Sequence, residues 1–486
     1  MVRGTIVPGY NSSRPFTASA YSGDLVPEAD QRTANGISHF PSFLVRRRKY
    51  LVVSVILVFA IIIFFNSSTS LRLPNLTSVH LHPNHDYSPS NSSLEPPQTT
   101  VFVTKTVNAP EVIKTAVVEQ AVTSTTPPSQ EPVVFVLIMW SKSSAVEGAL
   151  LIKSILMYNS SPSEFHIICD DEAEGFLRSR FALVNRPRLN VWIKFYKPDW
   201  QSMVDRIERE GSISSDHSAG IPGLMKLFLH EIVPVKKGIY VDTDAFFISD
   251  PTLLWNVFET FKPSTAIVMS SHPDQDSPEW NHASRICSCV MLLHLEKLRS
   301  RRLMDSSIYR TDSSGRFPPA LSPEAFRAMY GLPGGDGHGQ YDNVRLGDQG
   351  YWWAIVSHLP EIFQPLSFDF EVTSCLLNTY NIGLGDDDTQ ESLELSRQTF
   401  LAGTPQEGDV VLPKLLHFNC LHGTDVYMEW EGWSNPDDIL TQRWGAALKY
   451  HAGYKWIWLN SGQSSLHLET GGVVFADEQY ARQLNV

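Results

Sequence analysis

Cysteine is scarce in this chain. The five present stand at 169, 287, 289, 375 and 420. No second Cys or His pair stands at zinc-site spacing from Cys287 and Cys289, which excludes a zinc-finger reading. An odd count leaves at least one thiol unpaired within the chain, and the expectation is buried thiols or a single bridge. Basic residues are also short: 39 Lys and Arg against 52 Asp and Glu give a formal charge of −13. That balance excludes nucleic acid as the main partner. Uncharged apolar runs of membrane length are lacking too, with one exception.

The exception is "RRRKYLVVSVILVFAIIIFF", in which Arg46, Arg47, Arg48 and Lys49 precede the apolar residues 51–65. At 1.5 Å per residue the run reaches roughly 22 Å, short of a hydrocarbon core of about 30 Å, so Tyr50 and the flanking serines share the boundary. About 50 residues precede it, too many for a cleaved signal peptide. It reads as a retained signal anchor at residues 50–65, of a length that suits the thinner early secretory membranes. The basic cluster places residues 1–49 in the cytosol as a disordered tail and the remainder in the lumen. Residues 66–131 are rich in Ser, Thr, Pro and Asn, with sequons at Asn75 and Asn91, and read as a luminal stem. The expected protein is a single-pass type II membrane protein of the Golgi.

From residue 132 apolar runs alternate with helical patterns. "VVFVLIM" (133–139), "FHIICDD" (165–171), "VWIKFY" (191–196) and "GIYV" (238–241) read as strands. Residues 145–159 and 223–233 read as helices between them. That alternation predicts a mostly parallel sheet covered on both faces, with ligands beyond the carboxyl ends of its strands. Asp242 and Asp244 occupy such an end, on a short loop before a helix that opens near Asp250 and Pro251. Two carboxylates at i and i+2 can face one hard cation, Mg2+ or Mn2+, bridging to a diphosphate. Acids at strand ends are also commonly solvated or cap helices. The other Asp-x-Asp triplets, Asp274 to Asp276 and Asp386 to Asp388, lack a comparable buried strand before them and read as surface loops. A phosphatase reading of the first triplet expects Thr or Val where Phe246 stands.

The stretch "GIPGLMKLFLHEIVPVKKGIYVDTDAFFISDPTLLW" (220–255) resembles the metal-binding core of family 8 glycosyltransferases, and most resembles the first catalytic domain of the LARGE-type xylosyltransferases. "LIKSILMYNSSPSEFHIICD" (151–170), "CVMLLHLEKLR" (289–299), "GDQGYWWAI" (347–355) and "PKLLHFNC" (413–420) are similar to further family stretches in the same order. The resemblance covers residues 132–460, leaves 461–486 as a C-terminal tail, and leaves no room for a second LARGE-type domain. It implies an α/β GT-A nucleotide-diphospho-sugar transferase fold, a retaining mechanism, a UDP-sugar donor such as UDP-xylose or UDP-glucose, and a glycan or glycoprotein acceptor. It also implies Mn2+ or Mg2+ held by Asp242, Asp244 and His417. Lys226, Cys287, Asn419 and Gly423 fall at donor-side positions, and Asp348 and Gln349 beside the transferred sugar. The chain departs from the family at Cys287-Ser288-Cys289 (Asn-x-Gly in relatives), at Gly350 (Asp), at Pro222 (Tyr) and after His422 and Gly423, where Lys-Pro-Trp is missing. Metal binding is therefore expected to be kept and sugar recognition altered. The alternative class is a membrane-tethered pseudoenzyme or glycan-binding partner of another transferase.

Overall fold

The computed structural model describes residues 131–272, 281–334, 336–376, 406, 411–421 and 423–483. The apolar run 50–65, the stem up to residue 130, the two other Asp-x-Asp triplets and His422 lie outside them. No helix of the described residues is long and apolar enough to cross a membrane.

Eleven strands form among the described residues. The first four are β1 (Val133–Met139), β2 (Ser163–Cys169), β3 (Val191–Lys197) and β4 (Gly238–Val241). There follow β5 (Ala245–Phe247), β6 (Ile267–Ser271), β7 (Ile286–Leu293) and β8 (Phe363–Leu366). The last are β9 (Val372–Thr373), β10 (Leu415–His417) and β11 (Leu466–Gly472). Eight build the main sheet in the order β11-β3-β2-β1-β4-β7-β6-β8, and β5-β10-β9 make a small second sheet. Only β7 opposes its neighbours in the main sheet; every other adjacent pair is parallel. The predicted mostly parallel sheet is thus present.

Its central strands β1, β4 and β7 are apolar on both faces because both are covered. On one side Phe135, Phe165, Ile193 and Phe195 pack with helix α1 (Lys142–Tyr158) and helix α2 (Asp171–Phe181). On the other, Val136, Ile168 and Tyr240 meet Met203 of helix α3 (Trp200–Glu210) and Tyr351 and Trp352 of helix α4 (Asp348–His358). Helix α1 opens with a capping box in which Ser141 and Ser144 each accept the other's backbone N–H, which fixes its start. A third cluster joins Phe246 and Leu416 of the small sheet to Trp444 and Leu448 of helix α5 (Ile439–Gly453).

Two expectations need correction. The single helix over 223–233 is a chain of short turns, Gly220–Leu224, Met225–Phe228 and Leu229–Ile232. Within the run Phe228 leaves helical geometry, at φ −109° and ψ 8°, which separates the last two turns. The boundary at 460 falls inside the fold: β11 pairs with β3 along its whole length, and helix α6 (Ala476–Gln483) buries Asp477 against Arg206 and Arg209. Leu466 and Leu468 pack against the core while His467 and Glu469 face outward. This is the period of a half-buried edge strand, so residues 461–483 belong to the domain.

The cysteines also form more bridges than expected: Cys287 with Cys289, and Cys375 with Cys420, leaving Cys169 free and buried. Positions i and i+2 on β7 share a face. Cys375 and Cys420 lie just beyond the parallel neighbours β9 and β10, an adjacency that spacing could not reveal.

Candidate active site

The main sheet delivers β4 as a fully buried strand whose next residue is Asp242. The chain then turns at Thr243 and Asp244 and enters β5, which pairs antiparallel with β10. In that register His417 stands opposite Ala245, so the last residue of β10 reaches the triplet. A ligand atom from each of Asp242, Asp244 and His417 lies within 4.8 Å of the others. Both aspartate side chains are about a quarter exposed, at 26% and 28%, whereas His417 is buried. Two hard carboxylate oxygens facing a cleft with a buried imidazole behind them form a donor set that fits Mg2+ or Mn2+.

Each ligand candidate is held from behind. Lys226 donates to both oxygens of Asp242, at 2.9 and 3.1 Å, and Tyr240 donates its hydroxyl to Oδ1 at 2.6 Å. His417 Nε2 lies 3.3 Å from Asp244, and its Nδ1 faces Glu371 at 3.7 Å. His272 supports Glu371 from the far side at 3.3 Å. Burial opposes charge on His417, but Asp244 and Glu371 outweigh it and raise its pKa to about 10. Burial likewise opposes charge on Glu371, and His272 and His417 outweigh it, bringing its pKa down to about 2. The two carboxylates thus favour positive charge at the imidazole, and a metal bound at Nε2 would take the place of that proton.

Asp348, first residue of α4, joins this corner at 3.5 Å from Lys226 Nζ and accepts a 2.8 Å hydrogen bond from Ser288. Burial raises its pKa, with Lys226 pulling the other way. Asp242, Asp244 and Asp348 therefore gather around one lysine and one imidazole, leaving an excess of negative charge beside the cleft. The cleft has a volume of about 720 Å³ and is lined by Trp140, Glu147, Trp200, Lys226 and the three aspartates, among others.

The other predicted residues separate from this group. Gln349 turns its amide to the carbonyl of Ala283 at 2.9 Å. Cys287 is buried and bridged to Cys289, so it offers no thiol, and it does not line the cleft. Those two sulfurs lie with Glu371 and His417 in a second close group, but the bridge removes them as thiolate ligands. Asn419 receives Thr373 Oγ1, tying β9 to β10, and lines a smaller neighbouring cleft with Asp244. Gly423 has a left-handed φ of 83° and lines neither cleft. Gly350 has a physical reason to lack a side chain: a Cβ there would stand 2.5 Å from the Arg345 carbonyl and 2.9 Å from Val344.

Two acids missed in the sequence complete the site. Glu147, on α1, accepts from Thr243 Oγ1 at 3.1 Å and from the Tyr427 backbone N–H at 2.8 Å, coupling the triplet to the loop after β10. Burial, reinforced by Asp244, raises its pKa to about 7. Glu371 is fully buried behind His417. Its one sequence signal is that it alternates with apolar residues in "FDFEV", as Asp369 also does.

No family model matches the chain. Among curated relatives, human xylosyl- and glucuronyltransferase LARGE1 is 37% identical over 115 residues, covering 23% of this chain and 14% of that protein. LARGE2s of Danio rerio is 33% identical over 161 residues (31% and 20%), and human LARGE2 31% over 185 residues (36% and 24%). The matched segment thus spans less than a quarter of the length of each of these relatives. Among solved structures, mouse xyloside xylosyltransferase 1 covers 60% of this chain and all of its own at 15% identity and a TM-score of 0.39. The galactosyltransferase LgtC, solved with donor and acceptor sugar analogues, covers 66% and 95% at 15% identity and the same TM-score. By sequence the chain is LARGE-like over the matched segment, the relationship to which its motifs point.

Proposed function

We propose that the protein is a glycosyltransferase that moves a sugar from a UDP-sugar to a glycan or glycoprotein acceptor with retention, using Mn2+ or Mg2+ held by Asp242, Asp244 and His417. The observation that carries this reading is the junction of β4 and β10. It brings two partly exposed carboxylates and a buried imidazole to the carboxyl edge of a parallel sheet, at the wall of an open cleft. When bound, the metal neutralises charge on the leaving diphosphate. Lys226 and Tyr240 fix the Asp242 carboxylate, Glu371 sets a negative charge 3.7 Å behind the His417 ring, and Lys226 adds a positive charge at the cleft wall. Asp348, held by Ser288, gives electrostatic support on the sugar side. Anchoring through residues 50–65, with the domain in the Golgi lumen, belongs to the same proposal.

A second reading, a pseudoenzyme or glycan-binding partner, draws on the sugar side: Gln349 is engaged with Ala283, Cys287 is bridged, and position 350 has no side chain. One experiment decides between them. The purified protein is incubated with Mn2+ and a panel of UDP-sugars, and UDP release and UDP binding are both measured. Release with at least one donor is expected. Binding without release from any donor favours the second reading, and no UDP binding defeats both the donor assignment and the metal site.

A further inference from the structure

The amino-terminal half of the sheet carries a second feature that the cleft does not use. Across β2, β3 and β11 the register aligns residues in rows on one face. Glu164, Trp192 and His467 form one row, and His166, Lys194 and Glu469 the next. The third row, Ile168 and Tyr196, packs with Met203 of α3; among the described residues the first two rows lie outside that cluster and, apart from the buried His166, are partly or fully exposed. With Pro132, Pro234 and Val235 as walls they line a groove of about 500 Å³, within the range of small-molecule sites. The opposite side of the same strands is core, so the floor is rigid.

The chemistry of the groove is specific. Trp192 is 38% exposed and lies nearly parallel to the ring of His467, with 15° between planes. This gives an apolar surface with polar edges. Around it runs a prepared chain of hydrogen bonds: Glu164 to His166 at 2.8 Å, and His166 to the Tyr196 hydroxyl at 2.9 Å. The exposed Lys194–Glu469 pair, at 3.1 Å, is a solvated contact of small worth that a ligand can replace. The wall therefore offers carboxylate acceptors from Glu164 and Glu469 and an ammonium donor from Lys194, with His166 buried behind them and spent on Glu164 and Tyr196; such a set suits hydroxyl groups, each both donor and acceptor. Two carboxylates against one lysine leave the groove negative when the imidazoles are neutral, which disfavours anionic ligands and selects an uncharged one.

We propose that this face is a second carbohydrate-binding surface that seats a neutral oligosaccharide, a length of the acceptor or product chain, against Trp192. The identification of that sugar as acceptor rests on the transferase reading; the binding chemistry does not. The groove opens at the amino ends of the strands and the metal corner at their carboxyl ends, so the two sites can be occupied independently.

The test is isothermal calorimetry on the full-length protein with xylotriose and maltotriose as neutral probes and a heparin fragment as the anionic one. UDP with Mn2+ is titrated in parallel. At least one neutral trisaccharide should bind, with affinity reduced at least about tenfold by Trp192→Ala, as expected for an aromatic anchor. Asp242→Asn should leave trisaccharide binding unchanged, and Trp192→Ala should leave UDP–Mn2+ binding and the thermal midpoint unchanged. Absence of binding by both neutral probes, equal affinity in Trp192→Ala, or preferential binding of heparin overturns the proposal. So does a change of oligomeric state in Trp192→Ala without sugar binding, which makes the face a self-association surface. Loss of UDP–Mn2+ binding in the parent protein, with Trp192-dependent sugar binding intact, defeats only the transferase reading.

Discussion

The two corners of the candidate active site differ in how their polar groups are employed. At the metal corner, Asp242 and Asp244 keep part of their surface open to the cleft while their backs are held by Lys226, Tyr240 and His417. At the sugar-side corner the groups are turned inward: Gln349 onto the Ala283 carbonyl, Cys287 onto Cys289, and Gly350 against the Arg345 carbonyl. A carboxylate braced from behind and open in front is prepared for a ligand. An amide already satisfied within the fold must first give up a hydrogen bond. The departures at Cys287 and Gly350 fall on the corner that is closed, whereas Pro222 lines the open cleft together with Asp242 and Asp244.

Three substitutions sharpen or break this contrast. The largest effect is expected from Asp242→Asn. It should abolish Mn2+-dependent UDP binding, a loss beyond the about 10- to 100-fold typical of an outer partner of a metal ligand. The calorimetric titration measures it, and retained binding would remove Asp242 from the metal set. Next, Gly350→Asp, which places the relatives' residue in this chain, should destabilise the fold by about 1–3 kcal/mol through overpacking. Denaturant unfolding reads that cost; a tolerated aspartate that increases UDP release would instead reopen the sugar corner. The smallest effect belongs to Gln349→Ala, which loses one hydrogen bond at a cost of about 1 kcal/mol and should leave UDP release unchanged. A large drop in release at constant stability would show that Gln349 faces the sugar after all.

The readable parts of the fold were those where chemistry is local. Strands β1 to β4 are short apolar runs bounded by polar turns, and Asp242 and Asp244 stand out because a fully buried strand precedes them. What stayed hidden depends on distant partners. Glu147 looks like any acid on a helix until β4 and the loop after β10 converge on it. The Cys375–Cys420 bridge follows from two short strands meeting in parallel. "LHLETGG" gives little sign of a strand because an edge strand shows only two leucines to the core and leaves its other positions to solvent.

That edge strand bears on how the protein is made. The contacts that join it to β3 include one between Ser465 and Asn190, 275 positions apart. Until the ribosome has passed residue 472, β3 presents an unpaired parallel edge, a template for strand addition by another nascent copy. Closure of such a distant contact is slow by nature. A premature stop near residue 460 would spare every metal-site residue yet leave this sticky border uncovered. The product would then be lost to aggregation before its chemistry could be assayed.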